Sequence, residues 1–141
     1  MLETKLQKFL VDEVRDSGGF AHKMSNRFLI GVPDLLIKLP NSPATFLETK
    51  QHTFNNRDAA PAKFWLRVTP LQAKFLRDAN AAGVPGLVGS FVQFKGRTIN
   101  DVLFAAYPIK AFSADNEISA ELRDHKSVRY WPNVFRALCP T

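Results

Sequence analysis

GVPDLLIKLPNSPATFLETKQ, residues 31–51, holds two apolar runs with charges at their ends. Asp34 opens DLLIKL (34–39), while Glu48 and Lys50 close ATFLETK (44–50). The runs flank the turn-rich tetrapeptide PNSP, a pattern that predicts a β-hairpin. A charge at the end of an apolar strand costs free energy unless it is paired, hydrated or bound to a metal.

Two residues apart on a strand, Glu48 and Lys50 project from the same face. Whether Asp34 joins them depends on register. If Leu39 faced Ala44, Asp34 would face Thr49 and point away from both charges. A shift of one residue, pairing Asp34 with Glu48 or with Lys50, gathers all three on one face. An odd loop length or a bulge is therefore expected. Such a cluster suits phosphodiester hydrolysis. Two carboxylates hold a hard divalent cation, Mg²⁺ or Mn²⁺, and the backbone carbonyl of Thr49 offers a further oxygen. The cation lowers the pKa of a bound water and stabilises charge developing on the scissile phosphate. The Lys50 ammonium orients the attacking water or offsets that charge. The competing reading is a surface Glu–Lys pair on an edge strand, with Asp34 as a strand-start residue.

Before the hairpin, residues 2–17 place Leu2, Leu6, Phe9, Leu10 and Val14 on one helical stripe, and Gly18-Gly19 ends the helix. FAHKM (20–24) reads as a short strand, and SNRFLIG (25–31) leads to Pro33, which can begin a strand but not occupy its middle. Gly31 is expected to supply a tight or positive-φ approach. After the hairpin, residues 51–68 show no sustained period and read as a long loop or excursion. A helix then begins at Thr69, with Pro70 at its first position and Gln72 completing a capping box. Its expected stripe is Leu71, Phe75, Leu76 and Ala79, stopped by Gly83 and Pro85. GLVGSFVQF (86–94) reads as a strand, KGR as a turn, and residues 98–107 as a strand or a short helix. Residues 108–141 give no clear period. The order implies an α/β or α+β layer arrangement with a mixed sheet.

The pattern G-V-P-D-L-L-I, F-L-E-T-K and T-P-L-Q, with ETKLQ and GGFAHK before it and AAGVPGLVGSFV after it, resembles the VRR-NUC branch of the PD-(D/E)xK nuclease superfamily. The resemblance covers about residues 3–94. It implies a restriction endonuclease-like core, with a mixed central sheet flanked by helices, in one nuclease domain. That domain would span residues 1–141, a motif-bearing core over 1–107 and a C-terminal extension over 108–141. By position, Asp34 and Glu48 match the family's metal ligands, Lys50 its catalytic lysine and Gln72 the glutamine that opens the following helix. Gln72 completes a cap in either case. Glu3 matches the first-helix glutamate of E-x-x-(L/I)-Q, with Leu6 and Gln7 following. Glu13, inside the apolar stripe, competes for that role, and the helix dipole alone would favour Glu3 in the first turn.

The 141 residues suit a single domain burying roughly 70% of its unfolded-chain surface. The formal charge of +6 and a pI near 9.7 favour a polyanionic partner. Basic and aromatic residues interleave in two stretches: Arg57, Lys63, Phe64, Trp65 and Arg67, then Arg123, Lys126, Arg129, Tyr130, Trp131 and Arg136. Arg57, Lys63, Arg67 and Arg129 are candidate phosphate contacts, with Lys23 near the hairpin. The aromatics either stack on unpaired bases or fill core. The lone Cys139 excludes an internal disulfide and a cysteine metal site. The three histidines lack metal-ligand spacing, and no phosphate-binding loop occurs. No nucleotide cofactor and no membrane span are expected.

The composite expectation is a Mg²⁺- or Mn²⁺-dependent DNA endonuclease, structure-selective for branched, flapped or junction DNA, with duplex or branched DNA as its partner. It is expected to be cytoplasmic (host cytoplasm for a phage enzyme) and homodimeric, this last from size and family habit. The alternatives are a nuclease for RNA or single strands, an inert nucleic-acid-binding protein of the same fold, and an unrelated α/β interaction domain.

Overall fold

The computed structural model describes residues 2–24 and 30–139. Residues 25–29, most of the lead-in to Pro33, lie outside them. The elements are α1 (Glu3–Asp16), β1 (Phe20–Lys23), β2 (Leu35–Lys38), β3 (Thr45–Phe54), β4 (Lys63–Arg67), α2 (Pro70–Ala81), β5 (Gly86–Phe94), β6 (Leu103–Pro108), β7 (Glu117–Glu121), β8 (Lys126–Ser127) and α3 (Trp131–Leu138).

Six strands form one sheet in the order β1-β2-β3-β5-β6-β8, antiparallel except for the β3–β5 pair. A parallel pair needs a crossover, and α2 supplies it. All nine residues of β5 are buried, which is why its sequence runs apolar without alternating. β4 and β7 form a separate two-stranded sheet.

The main sheet divides two cores. On one face α1 and α3 pack Leu6, Leu10, Val14, Trp131 and Phe135 against Leu47, Leu87, Phe91 and Phe104. On the other, α2 and the β4–β7 pair bring Leu76, Leu66 and Ala120 against Val88. Strand alternation sorts Leu87 to the first core and Val88 to the second. Gly86 lets α2 sit close: a Cβ there would lie 2.7 Å from the Leu76 carbonyl oxygen.

The capping box forms as expected, Thr69 Oγ1 accepting from the Gln72 N–H and Gln72 Oε1 accepting from the Thr69 N–H. Gly18 takes φ +87 past the end of α1, with the Gly19 N–H donating to the Val14 carbonyl at 2.9 Å. Two stripes shift. Leu2 is exposed, and Gln7 and Val11 are buried on α1 instead. Leu71 is exposed, and Ala73 joins Leu76 on α2.

The expectation of a long loop over 51–68 is corrected. β3 runs on to Phe54, and residues 63–67 are β4. Their partners lie far along the chain, Phe54 beside Phe94 and Lys63 beside Glu121, so no local period marks them. Residues 98–107 contain both expected forms, a 3₁₀ turn at 99–101 and then β6.

Candidate active site

The hairpin register decides the site. Leu35 pairs with Leu47 and Ile37 with Thr45, so the closing loop spans the odd run 38–44. One further step of that ladder sets Asp34 beside Glu48. Strand β2 begins only at Leu35, which leaves the edge of β3 at Thr49 free for the Asp34 side chain. Gly31, three residues earlier, takes φ +86 with its Cα against Leu71 in the first turn of α2. The approach to Asp34 is thereby pinned to the same helix end that presents Gln72.

Asp34 Oδ2 accepts the Thr49 N–H at 2.9 Å and lies 2.8 Å from the Thr49 hydroxyl. The N–H and C=O of one strand residue leave on the same side, so the Thr49 carbonyl also faces the Asp34 edge. Glu3 Oε1 lies 2.8 Å from the same hydroxyl, and Gln7 Nε2 donates to it at 2.7 Å. Three side chains therefore converge on Thr49 Oγ1, which carries a single proton.

Glu48 and Lys50 point to the opposite face of β3. Glu48 is 3% exposed. Its Oε2 lies 3.4 Å from the Lys50 ammonium, while its Oε1 is buried with no hydrogen-bond partner. Burial, and then the neighbouring Asp34 carboxylate, push the Glu48 carboxyl from 4.5 up to about 8, against the opposing pull of Lys50. Lys50 Nζ also donates to Gln72 Oε1 at 3.2 Å. One Gln72 oxygen thus serves both the helix cap and the lysine.

Three carboxylates share one lysine and one hydroxyl proton. Negative charge exceeds what these partners neutralise, and one buried oxygen lacks any partner. Those are the conditions a hard divalent cation relieves. Asp34, Glu48 and the Thr49 carbonyl provide oxygen donors of the right kind. Among the described residues no three of His, Cys, Asp and Glu converge on one point, so Glu3 acts on the cluster through Thr49.

Glu13 lies elsewhere, 3.6 Å from Arg129. Arg129 also donates to Asn100 and lies over the Phe9 ring, so its contacts include none of the cluster. Lys23 is exposed on β1 at the strand end that leads to Asp34, where the Met24 N–H bonds the Asp34 carbonyl. Arg67 borders a 330 Å³ cleft lined also by Glu3, Lys50, His52 and Trp65. Arg57 and Lys63 line a separate 840 Å³ hollow. Trp131 and Phe135 are core, whereas Trp65 is 53% exposed. Sequence reasoning assigned no role to Gln7 or to the Thr49 side chain. The available signal was a glutamine on the apolar stripe of α1, one turn after Glu3.

No family model matches the chain. A 48-residue segment is 46% identical to the "Putative nuclease p44" of Acyrthosiphon pisum secondary endosymbiont phage 1, covering 34% of this chain. The match spans about half, 52%, of that relative's length. Among solved structures, Hjc from Archaeoglobus fulgidus, a Holliday junction resolvase of an archaeal hyperthermophile, superposes with a TM-score of 0.58 at 12% identity. That superposition covers 94% of this chain and 96% of Hjc. The architecture is therefore the restriction endonuclease-like fold, a mixed sheet flanked by helices.

Proposed function

We propose that this chain is a divalent-metal-dependent nuclease hydrolysing phosphodiester bonds of DNA, of the VRR-NUC type. The observation that carries the reading is Glu48. Its buried Oε1 has no partner, Asp34 stands beside it, and Lys50 holds its other oxygen. The fold shared with Hjc and the segment shared with the phage nuclease p44 support it.

Asp34, Glu48 and the Thr49 carbonyl would hold Mg²⁺ or Mn²⁺. Bound there, the cation would supply Lewis-acid stabilisation of the charge that develops on a scissile phosphate. The chain's own residues do the rest. Gln72 holds the Lys50 ammonium, which lines the cleft and can orient an attacking water or donate to a phosphate oxygen. Thr49, held by Gln7, keeps Asp34 and Glu3 in place. The basic surface would draw DNA to the cleft. Among the described residues no helix is long and apolar enough to cross a membrane.

The test is incubation of end-labelled duplex, flapped, four-way, single-stranded DNA and RNA with Mg²⁺, Mn²⁺ or EDTA. Cutting that needs the cation supports the reading, and the ranking of substrates chooses the subclass. Tight binding of DNA with no cutting of any substrate would instead assign an inert nucleic-acid-binding protein of this fold.

A further inference from the structure

Strand β4 alternates Lys63, Trp65 and Arg67 outward with Phe64 and Leu66 toward the core. Trp65 is 53% exposed, a large apolar area for a surface strand to leave in water. At one end of the strand, Trp65 and Arg67 line the cleft that contains Lys50 and Glu3. At the other, Lys63 lines the 840 Å³ hollow together with Arg57, Arg123 and Lys126. Lys63 to Arg67 spans about 13 Å at the strand rise of ~3.3 Å per residue. One continuous exposed stripe therefore joins the carboxylate cleft to a basic hollow.

The stripe is built rather than loose. Glu117 and Glu121 on β7 hold Arg67 at 2.7 Å and Lys63 at 3.6 Å, and Glu121 also holds Arg123 at 2.6 Å. The Arg67 guanidinium lies 6.0 Å from the centre of the Trp65 ring. Arg57, Lys63, Arg67, Arg123 and Lys126 outnumber those two glutamates along the path. Cations spaced along a groove track phosphates. A flat exposed indole among them finds its best partner in the face of a base. A continuous duplex hides its base faces by stacking and cannot offer one.

We propose that the outer face of β4–β7 is a track for a single-stranded nucleic-acid segment. Trp65 stacks on an unpaired base beside the cleft, and the strand continues over Lys63 into the basic hollow. The preferred substrate therefore carries an unpaired strand adjoining the cutting site. This rests on the nuclease reading above and narrows its substrate class.

The test measures anisotropy of a dye-labelled oligothymidylate and of a blunt hairpin duplex, in EDTA, with wild-type, Trp65→Ala and Trp65→Phe proteins. The expected result is an affinity for the single strand reduced about 5–150-fold by Trp65→Ala and largely restored by Trp65→Phe. Duplex affinity stays unchanged. Single-strand affinity untouched by Trp65→Ala, or an equal loss for both DNAs, overturns the track while leaving cation-dependent cutting intact. Failure of the wild type to bind the single strand overturns the track as well, while the nuclease reading stands or falls on the cation-dependent cutting described above.

Discussion

The Thr49 hydroxyl has one proton and two carboxylate neighbours, Asp34 and Glu3, with Gln7 donating to its oxygen. Replacing it by the isosteric valine leaves the Gln7 amide buried without an acceptor. Thr49→Val should cost about 1–3 kcal/mol in chemical denaturation. Because it also removes the hydroxyl that Asp34 and Glu3 share, leaving Asp34 only the backbone N–H, it should weaken cation binding about 10–100-fold. Glu48 gives a second expectation. Its carboxyl titrates near 4.5 when unfolded and about 8 when folded, so the cation-free fold binds that proton more tightly than the unfolded chain. Stability from this source is full below pH 4.5 and is lost as pH rises through about 8. The melting temperature in EDTA should fall across that interval, and Glu48→Gln should flatten the dependence. A steeper fall in Glu48→Gln would contradict the assignment. Lys50→Ala should lower cutting by about 100-fold or more while leaving DNA affinity near that of the wild type.

At the scale of elements, the hairpin and α2 explain how much of the site could be read from the chain. The D…ExK spacing and the T-P-x-Q start are local signals, and both elements form where those signals fall. Register was conditional on loop length, and the odd loop brings Asp34 to Glu48. The Gln7–Thr49 link joins residues 42 apart, and no spacing rule reveals it. β4 was equally hidden, because its ladder partner β7 lies across α2, β5 and β6. Gln72 serves two elements at once, which makes a discriminating pair of variants. Thr69→Ala removes only the cap and should cost about 1 kcal/mol of stability with cutting retained. Gln72→Ala should show a similar loss of stability and also slow cutting, because Lys50 loses its 3.2 Å partner. Equal cutting by both variants would restrict Gln72 to capping.

For the whole molecule, the two cores on either side of one sheet hold α1 and α2 against opposite faces of β3. Glu3 therefore reaches the cluster from one face and Gln72 from the other, although they are far apart in sequence. The net charge of +6 belongs to this scale too. It says nothing of the fold, but it predicts DNA affinity that falls linearly in log–log form with salt, whatever the sequence of the DNA. On the function proposed above, a divalent cation completes Glu48, which is buried beside Asp34 with one oxygen unpartnered. Calorimetric titration of Mn²⁺ at pH 7, repeated in buffers of different ionisation enthalpy, tests it most directly. One site, release of about one proton on binding, and loss of both in Glu48→Gln are expected. No Mn²⁺ binding by the wild type, or binding undiminished in Glu48→Gln, would contradict it.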